Sequence, residues 1–196
     1  MRSRDVAPIA VGMLFLECSR RLAHRPSVSP VEEEVFRAAN GASDRIRIPV
    51  RAVMQAGTFA TVPLAAGGAL VLGRRDLAWR LAIGGTGAWL LARLVKPLGG
   101  RPRPGRLLED VRIREGIEGN LGWVSGHATV STTLAALVAP HVSGPARLAL
   151  GGIVATTGFG RMYVGAHLPL DIVGGIGLGL IVSGICRGTP GARSAR

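Results

Sequence analysis

Long uncharged apolar stretches alternate with short polar segments along the chain. Residues 52–73, 119–146, 148–160 and 172–186 carry no Asp, Glu, Lys or Arg, and the uncharged run at 81–92 continues past Arg93 to Val95. A shorter apolar run occupies residues 6–16. A membrane-spanning helix needs about 20 mostly apolar residues, range about 17–25. The 52–73 stretch meets that requirement alone. The others meet it when an arginine or polar residue at the end snorkels to the interface. The pattern predicts helices over 5–20, 50–73, 76–96, 126–142, 145–164 and 168–187, which makes five or six spans. The glycines inside these segments suit close helix packing in lipid. The fold class expected is all-α: a polytopic membrane helical bundle.

The polar segments divide this bundle. Residues 21–49 contain Glu32-Glu33-Glu34 and predict a loop with a short interfacial helix starting near Ser29-Pro30. Residues 97–121 form a second long polar segment, rich in Pro, Gly and Arg. The expected organisation is an anchor helix and interfacial loop over 1–49, a catalytic membrane domain over 50–187 and a short tail over 188–196. Arg2 and Arg4 ahead of an apolar core resemble a signal peptide, but Glu17-Cys18-Ser19-Arg20-Arg21 follows where small residues would mark cleavage. A retained anchor fits better.

Composition agrees with a membrane protein. The chain is 47% hydrophobic and 18% charged, with 29 glycines, more apolar than a soluble domain. Its net charge of +12 could serve nucleic acid, anionic lipid or an anionic substrate. No basic helix with interleaved aromatics is present, so nucleic acid is not an expected partner. Cys18 and Cys186 match no metal or redox spacing and are expected to be inert, buried thiols. Of the 24 basic side chains only Lys96 is a lysine, which points to a position that needs a compact ammonium rather than a planar guanidinium.

Three segments at predicted span ends carry the candidate chemistry. They are Lys96 through Arg103-Pro104, Gly122-Trp123-Val124-Ser125-Gly126-His127, and Gly160-Arg161 through His167 to Asp171. Lys96, Arg103 and Arg161 would repel one another if clustered, unless an anion sits among them, and phosphate matches both arginine and lysine. Ser125-Gly126 opens an apolar helix; this is a helix cap, and its free N–H groups can also bind an anion. His167 and Asp171 stand four residues apart around Pro169, which favours the first helical position. That spacing puts His167 at the mouth of the last span and Asp171 in its first turn, where a carboxylate can hold one ring nitrogen and leave the other to attack.

Together these segments resemble the type 2 phosphatidic acid phosphatase family, which shares its site architecture with vanadium haloperoxidases and class A acid phosphatases. The family pattern is Lys-x6-Arg-Pro, then Pro-Ser-Gly-His, then Ser-Arg-x5-His-x3-Asp. Lys96 and Arg103-Pro104 fit the first motif. Ser125-Gly126-His127 fits the second, with Val124 in the proline place. Arg161, His167 and Asp171 fit the third, with Gly160 in the serine place. The resemblance spans about residues 50–186 and implies an acid phosphatase/haloperoxidase-like core. It implies a metal-independent lipid phosphatase with no cofactor. His167 would form a phosphohistidine, Asp171 would orient it, and His127 would protonate the leaving oxygen and then activate water. Lys96, Arg103, Arg161, Ser125 and the Gly126 backbone would bind the phosphoryl oxygens. With one histidine as nucleophile and one as acid, a bell-shaped pH profile is expected.

The expected partners are membrane lipids and a lipid phosphate substrate: a polyprenyl phosphate or diphosphate, phosphatidic acid or phosphatidylglycerol phosphate. With six spans the motifs share one side, opposite both termini and the Arg74-Arg75 turn. The positive-inside rule then places the site on the extracytoplasmic face of a prokaryotic plasma membrane. Two rivals remain. A vanadate-dependent haloperoxidase would use the same pocket, and a membrane scaffold or transporter would retain it in degenerate form.

Overall fold

A computed structural model describes residues 3–116 and 119–188. These residues form α-helices joined by short loops and 3-10 turns, and the one ladder contact among them is an isolated bridge between Pro102 and Leu121. The helices are α1 (Ser3–Ala23), α2 (Pro30–Asn40), α3 (Arg47–Met54), α4 (Thr61–Val71), α5 (Arg75–Leu94), α6 (Lys96–Gly99), α7 (Gly126–Val138), α8 (Gly144–Tyr163) and α9 (Pro169–Gly188).

α9 packs against both α1 and α7, and its glycines explain how closely. A Cβ on Gly177 would lie 2.7 Å from the Gly12 carbonyl oxygen, so α1 and α9 meet backbone to backbone. Towards α7, Cβ atoms on Gly175 and Gly179 would lie 2.6 and 2.7 Å from the carbonyl oxygens of Ser125 and Thr129. Thr133 of α7 donates to the carbonyls of Thr129 (2.9 Å) and Gly179 (3.2 Å), joining the two helices by a buried hydrogen bond. α5 and α4 complete an apolar core with Val62, Leu77, Leu81, Val130, Leu134 and Val182.

The helix expected near Ser29-Pro30 is α2. Ser29 caps it through its side chain and Pro30 occupies its first turn. α2 is fastened to the core by Asn40, whose amide donates to the carbonyls of Arg112, Met162 and Tyr163 and accepts from Arg112 N–H.

Three expectations need correction. The continuous helix over 50–73 is broken: the segments Asp44–Gly57 and Thr61–Val71 meet at 72°. The Gln55 carbonyl, freed at the break, accepts from the Thr58 and Thr61 hydroxyls at 2.8 and 2.7 Å. Gly57 then packs onto His127, where a Cβ would lie 2.6 Å from the His127 carbonyl oxygen. The helix expected over 126–142 ends at Val138, and Pro140 lies in the 3-10 turn that follows. Cys18 is exposed on α1 rather than buried, and Cys186 is half-buried.

Among the described helices, α9 alone is by itself long and apolar enough to cross a membrane, and the bent α3–α4 pair passes as a unit. Large apolar side chains stay exposed on α1, α4 and α5, including Leu14, Leu64, Val71, Trp79, Ile83 and Leu94.

Candidate active site

The three motif segments meet at one cleft of about 610 Å³. Its lining includes Lys96, Arg103, Gly126, His127, Arg161 and His167, together with Phe59, Trp89 and Arg93. The α3–α4 bend brings Gly57, Thr58 and Phe59 into the same wall.

His167 sits just ahead of α9, nearly fully buried, with Nδ1 3.4 Å from Asp171 Oδ2. The same carboxylate oxygen accepts the Leu168 N–H at 3.0 Å. Asp171 therefore fixes one ring nitrogen and the chain entering the helix, and Nε2 is left for the cleft. Burial, then the charges of Lys96, Arg161, Arg103 and His127, hold the His167 pKa well below the ordinary value of 6.5. Its imidazole is neutral at physiological pH, the form a nucleophile requires. Close fit surrounds Asp171 as well: a Cβ on Gly122 would lie 2.7 Å from its Oδ2.

Two of the cations are held by backbone carbonyls. Lys96 Nζ donates to those of Leu121, Gly122 and Val124 at 3.3, 3.2 and 2.9 Å. Three converging acceptors suit an ammonium and not a planar guanidinium, a physical account of the single lysine. Arg103 donates to the carbonyls of Gly119 (2.9 Å) and Ala166 (2.8 Å), linking the first motif to the residue before His167. Arg161 is buried beside Glu115 at 3.6 Å, and its Nε has no hydrogen-bond partner among the described residues.

Ser125 is fully buried and caps α7: its hydroxyl accepts from Ala128 N–H at 3.5 Å, and its own N–H donates to the Asp171 carbonyl at 2.9 Å. It stands behind the cleft, whereas Gly126 and His127 line it. The departures from the family pattern fall on packed positions. Val124 is fully buried, and a Cβ on Gly160 would press on Met54 Sδ and Val50 Cγ1 at 3.2 Å each. α3 thus occupies the space a serine side chain would need.

Sequence reasoning missed two groups. Arg101 and Glu32 form a buried pair at 2.7 Å, and Arg101 also reaches Asp171 Oδ1 at 3.2 Å. Arg101 had a signal, its place between Lys96 and Arg103. Glu32 had none that set it apart from Glu33 and Glu34. Among the described residues no group of three or more His, Cys, Asp or Glu side chains is placed to hold a metal ion.

The PAP2 superfamily model matches residues 77–194. The chain belongs to the PAP2 superfamily. A decaprenylphosphoryl-5-phosphoribose phosphatase of Mycolicibacterium smegmatis is 35% identical over 117 residues, 58% of this chain and 61% of that protein. The enzyme of the same description from Mycobacterium tuberculosis is 34% identical over 130 residues, 64% of this chain and 69% of the relative. Two solved structures superpose well. Aquifex aeolicus LpxE has a TM-score of 0.73 at 23% identity, covering 83% of this chain and 98% of that one. The transmembrane PAP2-type phosphatidylglycerolphosphate phosphatase of Bacillus subtilis has a TM-score of 0.71 at 21% identity, covering 92% and 94%. The all-α bundle is thus a PAP2 fold.

Proposed function

We propose that this PAP2 chain is an integral-membrane phosphatase that hydrolyses a lipid phosphate through a phosphohistidine on His167. The observation that carries the reading is the buried His167–Asp171 pair opening onto a cleft lined by Lys96, Arg103 and Arg161. His167 Nε2 attacks phosphorus while the P–O bond to the lipid breaks, and His127 gives its proton to the departing oxygen. Water then attacks phosphorus as the P–N bond breaks, with neutral His127 taking the water proton. Phosphate leaves and both histidines return to their starting states. The three cations and the Gly126 N–H stabilise charge on the phosphoryl oxygens, and Ser125 supports them by fixing the start of α7. No step calls for a metal.

The lipid reading rests on surface and wall. Exposed apolar side chains on α1, α4 and α5 suit a hydrocarbon environment better than water. Five or six crossings, with the site on the extracytoplasmic face, fit the helix order and the Arg74-Arg75 turn opposite it. Beside the cradle, the Phe59 and Trp89 rings lie 4.9 Å apart, and the Arg93 guanidinium stacks 4.0 Å over Trp89. This wall offers apolar area to a prenyl chain or the face of a sugar, and a cation to a second phosphate. With the names of its relatives, it favours a polyprenyl-linked phosphate. The test measures phosphate release from prenyl phosphate, prenyl diphosphate, a prenylphosphoryl sugar phosphate, phosphatidic acid and soluble glycerol phosphate. Preference for the prenyl substrates is expected. Equal or faster hydrolysis of glycerol phosphate would overturn the lipid assignment.

A further inference from the structure

Behind the His167–Asp171 pair lie two further buried charges, Arg101 and Glu32, that the phosphatase chemistry above leaves unused. Arg101 Nη1 donates to Glu32 Oε1 at 2.8 Å and to Asp171 Oδ1 at 3.2 Å, and its Nη2 donates to Glu32 Oε2 at 2.7 Å. The side chains of Arg101, Glu32 and Asp171 are 5%, 5% and 0% exposed. Glu32 Oε1 accepts the Leu170 N–H at 3.0 Å as well, so it also caps the start of α9. Three ionised groups out of water carry a heavy desolvation cost, and buried pairs are weak devices for stability. Their place on the far side of Asp171 from His167 calls for a different role.

We propose that Glu32 and Arg101 are positioning residues for His167, acting through Asp171, so that α2 supplies part of the catalytic apparatus. This inference rests on the phosphohistidine reading above. Arg101 grips Asp171 Oδ1 and thereby turns Oδ2 towards His167 Nδ1 and the Leu168 N–H. By itself, Arg101 would also cancel the charge of Asp171. His167 would then face Lys96 of α6, Arg103 of the following loop, His127 of α7 and Arg161 of α8 with no net anion behind it. Glu32 restores that anion: Glu32, Arg101 and Asp171 together carry a single net negative charge. The imidazole that becomes cationic on phosphorylation is stabilised by it, and its tautomer is fixed with the proton on Nδ1.

Glu32→Gln removes the charge and keeps the shape: an amide oxygen in the Oε1 place can still accept from Arg101 Nη1 and Leu170 N–H, and only the Arg101 Nη2 bond to Oε2 is lost. The full-length protein in detergent is assayed for kcat, KM, the pH profile of kcat/KM and the melting temperature. Wild type, His167→Ala, Glu32→Gln, Arg101→Lys and the surface control Glu33→Gln are compared. Glu32→Gln is expected to lower kcat by about ten- to a hundred-fold, the range seen when a partner behind a ligating histidine is removed. KM should stay within about two-fold, because no phosphate contact is lost. The acid limb of kcat/KM should move to lower pH, because removing a negative charge makes His167 harder to protonate. Arg101→Lys, which keeps the charge and loses the fork, should lower kcat as well, while Glu33→Gln should match wild type. Wild-type kcat and an unmoved acid limb in Glu32→Gln would overturn the inference. So would a kcat loss in both variants that only follows a fall in melting temperature, with the limb unmoved. In both cases an active wild type and an inactive His167→Ala would leave the phosphatase reading standing. Absence of phosphate release by the wild type would instead remove that reading.

Discussion

At the scale of single residues, the site's chemistry is set by what each charge is tied to. Lys96 spends its ammonium donors on three carbonyls of one loop. Lys96→Arg keeps the charge but cannot reach all three, and a buried acceptor left unsatisfied costs about 1–3 kcal/mol. Chemical denaturation of the variant should show a loss of that size, together with lower activity; unchanged stability would show that the clamp is not used. His167 sets the pH response. In the proposed reaction its neutral form attacks, and burial and the cations around it hold its pKa well below 6.5. Activity should therefore survive below pH 6.5, and the acid limb of kcat/KM should appear only at lower pH. A limb at or above 6.5 would contradict that environment. These residues were legible in the sequence because each motif is local: spacing puts Asp171 one turn from His167, and three motifs in order define one cradle. Arg101–Glu32 was not legible, because the pair spans 69 positions and Glu32 shares its sequence context with two exposed-looking neighbours.

At the scale of elements, apolar runs located the helices but not their breaks. The 52–73 stretch is uncharged, with Gln55, Thr58 and Thr61 as its only polar side chains, so charge gave no reason to divide it, yet α3 and α4 meet there at 72°. Pro63 was the available signal, since proline suits a helix's first turn, and here it is the third residue of α4. The bend has a purpose in the architecture: it seats Gly57 on His127 and Phe59 in the cleft wall. Close packing of α9 is the second elemental feature, and here glycine content was informative. Gly177→Val would drive its side chain into the Gly12 carbonyl and the α1 backbone. Overpacking of this kind costs about 1–3 kcal/mol, so the melting temperature of the variant in detergent should fall clearly. A melting temperature equal to wild type would mean that α1 is not held there. α8 and α9 ended within a residue or so of the sequence expectation because Arg161, Pro169 and Arg187 mark their ends.

At the scale of the whole molecule, a helical bundle brings the three motif segments to one cleft, which the proposed function places at a membrane surface. The orientation is testable directly. In a background without Cys18 and Cys186, Glu109→Cys in the loop beside the site should react with a membrane-impermeant maleimide on intact cells. Arg74→Cys at the opposite end should be protected until the cells are opened; the reverse pattern would invert the topology. Activity should also persist in excess chelator, and its loss there would point to a metal-dependent reaction. The central claim, that His167 is the attacking group of a lipid phosphatase, is tested most directly by phosphate release from a prenyl phosphate in detergent micelles, comparing the wild type with His167→Ala. The account predicts turnover by the wild type and a fall of about a thousand-fold or more in the variant. Release by His167→Ala within about ten-fold of wild type would contradict it.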